Sequence, residues 1–301
     1  MTPGGLQLYL DLCVFLFGAA IGSFLNVCIY RMPLGKSIVS PPSSCPSCDK
    51  AIRWFDNIPL VSYLKLRGRC RHCGAQFTAR YFLVELLTAL MFLTIWVMFS
   101  GWLTAIYWVL AAGLIVATFT DLEHYIIPDS VSVGGVFVGF VLSVVYPALQ
   151  HETFFMLGGF RSVVGILVGS GIVLWVAILG ELVFKKEAMG FGDVKLMGAI
   201  GAFLGWQATV FAMVAASVVG SIAGLLWILL SRERRAMLRI SKEDRSYHGL
   251  DSWSIRDEMD THVMGSSIPY GPFLVFGAIL WIYVGNYVQH WLDAALQLGN
   301  S

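Results

Sequence analysis

Charge is what this chain has least of. Only 13% of its 301 residues are Asp, Glu, Lys or Arg, against about 25% in an ordinary soluble domain, which excludes a water-soluble globule. Neither sign is in excess: 20 Lys and Arg against 19 Asp and Glu leave a net charge of +1, which argues against a nucleic-acid binder or an acidic tail. The first apolar run has no basic residue ahead of it, contains Asp11 and lacks a small-residue cleavage site. It reads as a retained span and not as a removed signal peptide. What the chain has in quantity is apolar surface, 57% of residues with a mean hydropathy of +0.73. Its 31 glycines suit membrane helices, where small residues let backbones approach closely.

A crossing helix needs about 20 mainly apolar residues to traverse about 30 Å of hydrocarbon. Such runs lie near 6–30, 81–99, 102–119, 131–148, 161–184, 194–230 and 269–292. The 194–230 run is too long for one crossing, and Gly205-Trp206-Gln207 offers a turn within it. Split there, the chain is an all-α polytopic integral membrane protein with about eight transmembrane helices. Segments 31–80, 185–195 and 231–265 hold 9, 3 and 7 basic residues, which is 19 of the 20, Arg161 being the exception. The positive-inside rule puts these segments in the cytosol, and eight spans with both termini outside place all three on one side. The 120–130 loop is cytosolic by the same threading.

Six cysteines occur. Cys13 and Cys28 fall in the first span and read as small packing residues. The others form Cys45-Pro-Ser-Cys48 and Cys70-Arg-His-Cys73, with 21 residues between the pairs. Two such pairs make a four-thiolate structural zinc site; the alternative is two local disulfides or four free thiols. A reducing cytosol disfavours disulfides, and residues 31–80 are too few and too polar to fold without help, so a metal would supply stability. His72 could compete as a ligand, but four cysteines already close the site. The expected organisation is a first transmembrane helix at 1–30, a small cytosolic zinc-binding domain at 31–80 between helices 1 and 2, and a membrane domain at 81–301.

Carboxylates beside hydrocarbon are costly and point to function. Asp121 follows an apolar span, in Phe119-Thr-Asp121-Leu-Glu123-His124, and Asp193 precedes one, in Met189-Gly190-Phe191-Gly192-Asp193-Val-Lys195. Both fall at cytosolic helix ends and could meet. Two carboxylates in one site do not both ionise cheaply. The ionised one can draw a proton from water while the protonated one polarises a carbonyl, which is the minimum equipment for cleaving a peptide without a metal. Gly190 and Gly192 allow the backbone to turn sharply and approach a substrate strand, which could pair by strand addition. The structural alternatives are that Asp193 caps a helix starting at Val194 and that Asp129, after Pro128, caps the next span; Asp129 is taken as a cap. Glu123 and His124 read as solvated interfacial residues, and Glu85 as a partner of Arg80.

In order along the chain, these motifs resemble those of the type IV prepilin peptidases. They run from Gly22-Ser-Phe-Leu-Asn26-Val and Arg31-Met-Pro33 through the cysteine pairs, Asn57-Ile-Pro59 and Leu66-Arg-Gly68-Arg-Cys70. Arg80-Tyr-Phe-Leu-Val-Glu85, the Asp121 segment, Gly190-Phe-Gly-Asp193-Val-Lys195 and Pro269-Tyr-Gly-Pro-Phe273 follow. Phe82 departs from the pattern, standing where the family commonly has proline. The resemblance implies that Asp121 and Asp193 are catalytic, with Gly190, Gly192 and Lys195 in the active-site loop. It implies removal of a basic leader from prepilins or pseudopilins, after a glycine, at the cytosolic face of the bacterial inner membrane, with no cofactor needed for hydrolysis. It further implies methylation of the new amino terminus from S-adenosylmethionine, with Gly68 and Arg69 as cofactor-binding candidates. The residues by themselves carry no sign of that activity, since no Gly-x-Gly-x-x-Gly follows a strand. The charged 231–265 loop reads as a solvated connector. The rival class is a proton-coupled transporter using Asp121 and Asp193 as a relay, for which internal repeats or paired broken helices would be expected; no clear repeat is seen.

Overall fold

Hydrocarbon offers no water to backbone N–H and C=O groups, so apolar runs of this length close their hydrogen bonds within helices. The computed structural model describes residues 3–185, 189–230 and 269–298. Its regular elements are helical: α1 (Pro3–Arg31), the short α2 (Val61–Lys65), α3 (Arg80–Met98), α4 (Trp102–His124), α5 (Asp129–Val145), α6 (Phe155–Phe184), α7 (Phe191–Leu230) and α8 (Gly271–Leu298). Six of these are long and apolar enough to cross a membrane: α1, α3, α4, α6, α7 and α8. Phe160, Leu167, Trp175 and Leu182 stand exposed on α6, as lipid-facing side chains do. The two further spans read from the sequence correspond to α5 and to a division of α7. With 17 residues, α5 reaches only about 26 Å.

The division of α7 falls where the sequence places it. Gly205 has φ 79° and ψ 176°, outside helical values. A break inside hydrocarbon strands the last carbonyls of the first half, and these need other donors. Ser143 Oγ and Ser162 Oγ each donate to the Ala202 carbonyl at 2.9 Å. Gln150 Nε2 donates to Ala202 and Phe203 at 3.0 and 3.2 Å. All three side chains are buried, so three elements converge to cap one break.

Close packing uses the glycines as expected. A Cβ on Gly22 would lie 2.7 Å from the Glu85 Cα, and one on Gly18 2.8 Å from the Ala89 Cα, so α1 lies directly on α3. Two apolar cores result. One joins α4 (Leu110, Leu114) to α7 and α8 (Ile200, Leu274); the other joins the opposite face of α4 (Ala111, Ile115) to α1 and α3 (Ile29, Ile95). Helix α4 is thus the common wall, and it carries Asp121.

Boundaries differ from the sequence reading in three places. Helix α4 continues past its apolar run to His124, so Asp121 lies inside it. Helix α7 starts at Phe191 and not at Val194, placing Asp193 in its first turn. Helix α6 starts at Phe155, ahead of Arg161, which pairs with Glu152 at 2.6 Å. The 231–265 loop lies outside the described residues.

Candidate active site

Asp121 sits in the last turn of α4, which Tyr125 ends in a left-handed conformation with φ 54°. Pro128 then opens α5. Between them the chain buries Ile127. Asp193 sits in the first turn of α7, its N–H bonded to the Gly190 carbonyl at 3.1 Å. Each aspartate is only 7% exposed.

Ile127 and Gly271 bring the two together. The Gly271 N–H donates to Asp121 Oδ2 at 3.0 Å. A Cβ on Gly271 would lie 2.5 Å from that oxygen and 3.3 Å from Ile127 Cδ1. A Cβ on Gly192 would lie 3.3 Å from the Cβ of the same Ile127. Ile127 is thus packed against Gly192, the neighbour of Asp193, and beside Gly271, the donor to Asp121. Gly190 lies beside the pair, its Cβ position 3.9 Å from Asp193 Oδ2. Glycine at 192 and 271 is therefore what lets the backbone pack against Ile127 and Asp121, where a side chain would collide.

Lys195 turns away from the aspartates: its Nζ donates to Asp129 Oδ1 at 2.6 Å and lies 5.2 Å from the Phe191 ring centroid. Asp129 is accordingly not a cap. Pro128 occupies the cap position of α5, no side chain caps it, and the Asp129 carboxylate is taken by Lys195. Asp193 also makes no cap to a helix beginning at Val194, because it already lies within α7. Arg80 pairs with Glu123 and not with Glu85; the Glu85 carboxylate instead accepts the Leu60 N–H at 2.7 Å. Glu123 is thus engaged, and His124 Nε2 is buried without a partner, so neither is a freely solvated group.

The cysteine pairs form two alike knuckles. In one, the Cys45 N–H bonds the Lys50 carbonyl at 3.0 Å and the Asp49 N–H the Cys45 carbonyl at 2.8 Å. In the other, Cys70 bonds Ala75 at 2.8 Å and Gly74 bonds Cys70 at 2.9 Å. Asp49 and Gly74 both take positive φ, 53° and 72°, which closes each turn. None of the cysteines is in a disulfide. The sulfurs of Cys45, Cys48, Cys70 and Cys73 lie within 4.8 Å of one another, so the group can hold a metal ion. The N–H groups of Cys73 and His72 beside the Cys70 sulfur bring its thiol down to about 6, while the Cys73 thiol is pushed up to about 11 by desolvation and the sulfurs of Cys70, Cys48 and Cys45, the opposite shifts of thiols that share one cluster. Gly68 and Arg69 lie on this module, apart from the aspartates, where they line a cavity facing α1 and α3.

Sequence reasoning missed Gly271 and Ile127 as parts of the site. The Pro269-Tyr-Gly-Pro motif marks the glycine, but its N–H reaches Asp121 only through the packing of α8 on α4.

Residues 108–225 match the Type IV leader peptidase family, and residues 16–99 the Bacterial Peptidase A24 N-terminal domain. A prepilin leader peptidase/N-methyltransferase of Aeromonas hydrophila is 34% identical over 94% of this chain and 93% of its own length. The chain belongs to the type IV leader peptidase family. A Myxococcus xanthus relative of the same name is 41% identical over 72% of this chain, a match spanning 62% of the relative. A Pseudomonas aeruginosa relative, also so named, is 31% identical over 90% of both. No solved structure matches this member of the family.

Proposed function

We propose that this chain is a bifunctional membrane enzyme, an aspartic endopeptidase that removes the basic leader of prepilins or pseudopilins after a glycine and then methylates the new amino terminus. The observation that carries the peptidase half is the burial of Asp121 and Asp193, from segments far apart in sequence that both pack at Ile127 through Gly271 and Gly192. In such a pair one carboxylate takes a proton from the attacking water while the other, protonated, polarises the scissile carbonyl and later protonates the leaving amine. The protons belong to the pair and not to either residue. At Gly190 the backbone is bare, its Cβ position meeting nothing closer than 3.9 Å, and an extended leader segment can lie on it. Lys195, through Asp129, ties the first turn of α7 to α5 and acts as a positioning residue. No described residue gives the transporter alternative support, since the pair sits at helix ends and not at mid-membrane.

The remaining assignments follow from that reading. Eight crossings, counting α5 and both parts of α7, with the charged segments inside, set the aspartates at the cytosolic face of the bacterial inner membrane. Residues 1–30, 31–80 and 81–301 serve as anchor, zinc domain and peptidase domain. Zinc–sulfur bonds of about 2.3 Å put tetrahedral sulfurs about 3.8 Å apart; the Cys45 and Cys73 sulfurs are 3.8 Å apart, so the donor set suits structural zinc. The methyl donor is S-adenosylmethionine, with Gly68 and Arg69 near it.

One measurement tests the whole reading. Detergent-solubilised protein is incubated with a prepilin, with and without S-adenosylmethionine, and the products are weighed. The expected masses are the leader-free chain without the donor and the same chain plus one methyl group with it. Asp121→Asn and Asp193→Asn should each abolish cleavage, because an amide cannot exchange the proton. Full cleavage by either variant overturns the dyad.

A further inference from the structure

A cavity of about 570 Å³ lies between the Arg31 end of α1, the Arg80 end of α3 and the cysteine module. None of the residues around the aspartates lines it. Its volume falls in the range of small-molecule sites, about 300–1,000 Å³. Two acceptors on helices α1 and α3 define its floor. Asn26 is 3% exposed; its Nδ2 donates to the Tyr81 carbonyl at 3.0 Å, and its Oδ1 has no partner. Glu85 is 8% exposed and is bonded by the Leu60 N–H at 2.7 Å and by the Ser23 side chain. The Asn26 oxygen is orphaned and Glu85 has no cationic partner among the described residues, costs that a ligand bringing donors or positive charge would offset.

The walls suit such a ligand. Tyr30, Tyr63 and Tyr81 line the cavity, and aromatic faces attract cations and stack on flat rings. Gly68 takes φ +65°, and a Cβ there would lie 2.8 Å from the Tyr63 hydroxyl, so a side chain at 68 would displace one wall. S-adenosylmethionine has the matching features, a sulfonium, an ammonium and a flat base. We propose that this cavity is the methyl-donor site and that Asn26 and Glu85, on the membrane helices, recognise the donor's positive charge. This rests on the methyltransferase half of the function above and carries it from Gly68 and Arg69 to α1 and α3.

The test uses the full chain in detergent and tritiated S-adenosylmethionine in equilibrium dialysis. Glu85→Gln keeps an oxygen for the Leu60 N–H and removes the charge. It should weaken S-adenosylmethionine by about tenfold or more, and S-adenosylhomocysteine, which lacks the sulfonium, by clearly less. Unchanged elution and melting show that the variant is folded. Ultraviolet crosslinking of the labelled donor, followed by peptide mapping, should mark peptides holding Tyr30, Tyr63 or Tyr81. Unchanged affinity in folded Glu85→Gln, or label confined to residues 108–225, overturns the assignment while leaving methylation intact. Displacement of the donor by a peptide beginning with Phe gives the cavity to the acceptor amine and also overturns it. Wild-type protein that neither binds the donor nor methylates would sink the methyltransferase reading itself.

Discussion

Gly271 shows how much of this site is decided by one missing methyl group. Its N–H holds Asp121 Oδ2 at 3.0 Å, and its Cβ position is 2.5 Å from the same oxygen. Gly271→Ala therefore forces the carboxylate off its donor. A hydrogen bond to a charged group contributes about 1.5–3 kcal/mol, so kcat/KM for leader cleavage should fall about 10–100-fold, as read by product mass against time. Removing Lys195 or Asp129 breaks a pair in which Asp129 is open to solvent, and such pairs contribute about 0–1 kcal/mol; cleavage should change by less than about fivefold. Gly190, Gly192 and Asp193 stand out in the sequence because their motif is short and local, whereas Gly271 meets Asp121 only in the fold. The partner of Arg80 was not legible: Glu85 was expected, but residues five apart on a helix point about 140° away from each other. Arg80 consequently turns to Glu123 on α4 while Glu85 faces the cysteine module.

Among the elements, α7 was read correctly as too long, and the reason is chemical. A Gly-Trp-Gln interruption in an apolar run is visible in one dimension. Its cap is not, because Ser143, Gln150 and Ser162 come from α5, the turn after it and α6. Gln150→Leu should leave the Phe203 carbonyl without its donor and destabilise the protein by about 1–3 kcal/mol, lowering the melting temperature in detergent by several degrees. Ser162→Ala should cost less, since Ser143 and Gln150 still reach the Ala202 carbonyl. The knuckles behave differently. Each is a turn of a few residues held by backbone bonds, and a metal on the four sulfurs would supply what a core does in a larger domain. Chelation, or Cys45→Ser, should release the metal and unfold the module. Elemental analysis and methylation would both register the loss, while Asp121 and Asp193, supported by α5, α7 and α8, keep peptide hydrolysis available.

At the scale of the whole molecule, the aspartates and the cavity share no residues, and α4 is the helix that the bundles behind them have in common. Helix α4 packs against α1 and α3 on one face and against α7 and α8 on the other, and the Arg80–Glu123 pair joins the start of α3 to the turn after Asp121. The sequence marks the first half by its cysteines, all six of them before residue 80, and by a charged 31–80 segment set between apolar runs. It does not show that the cavity of the first half is floored by its flanking helices, since Asn26 and Glu85 look like ordinary members of apolar spans until α1 is laid on α3. This arrangement makes the two reactions independent in chemistry and dependent in order. An amine inside a peptide bond is no methyl acceptor, so the leader must leave first. Asp121→Asn should therefore give no methylated product from a full-length prepilin. Supplied instead with the same pilin already lacking its leader, that variant should methylate it at a rate within about twofold of the wild type, since no interaction made at Asp121 contributes to the barrier there. Mass spectrometry of both reactions checks it, and loss of methylation on the leader-free chain would mean that the aspartates and the cavity form a single site.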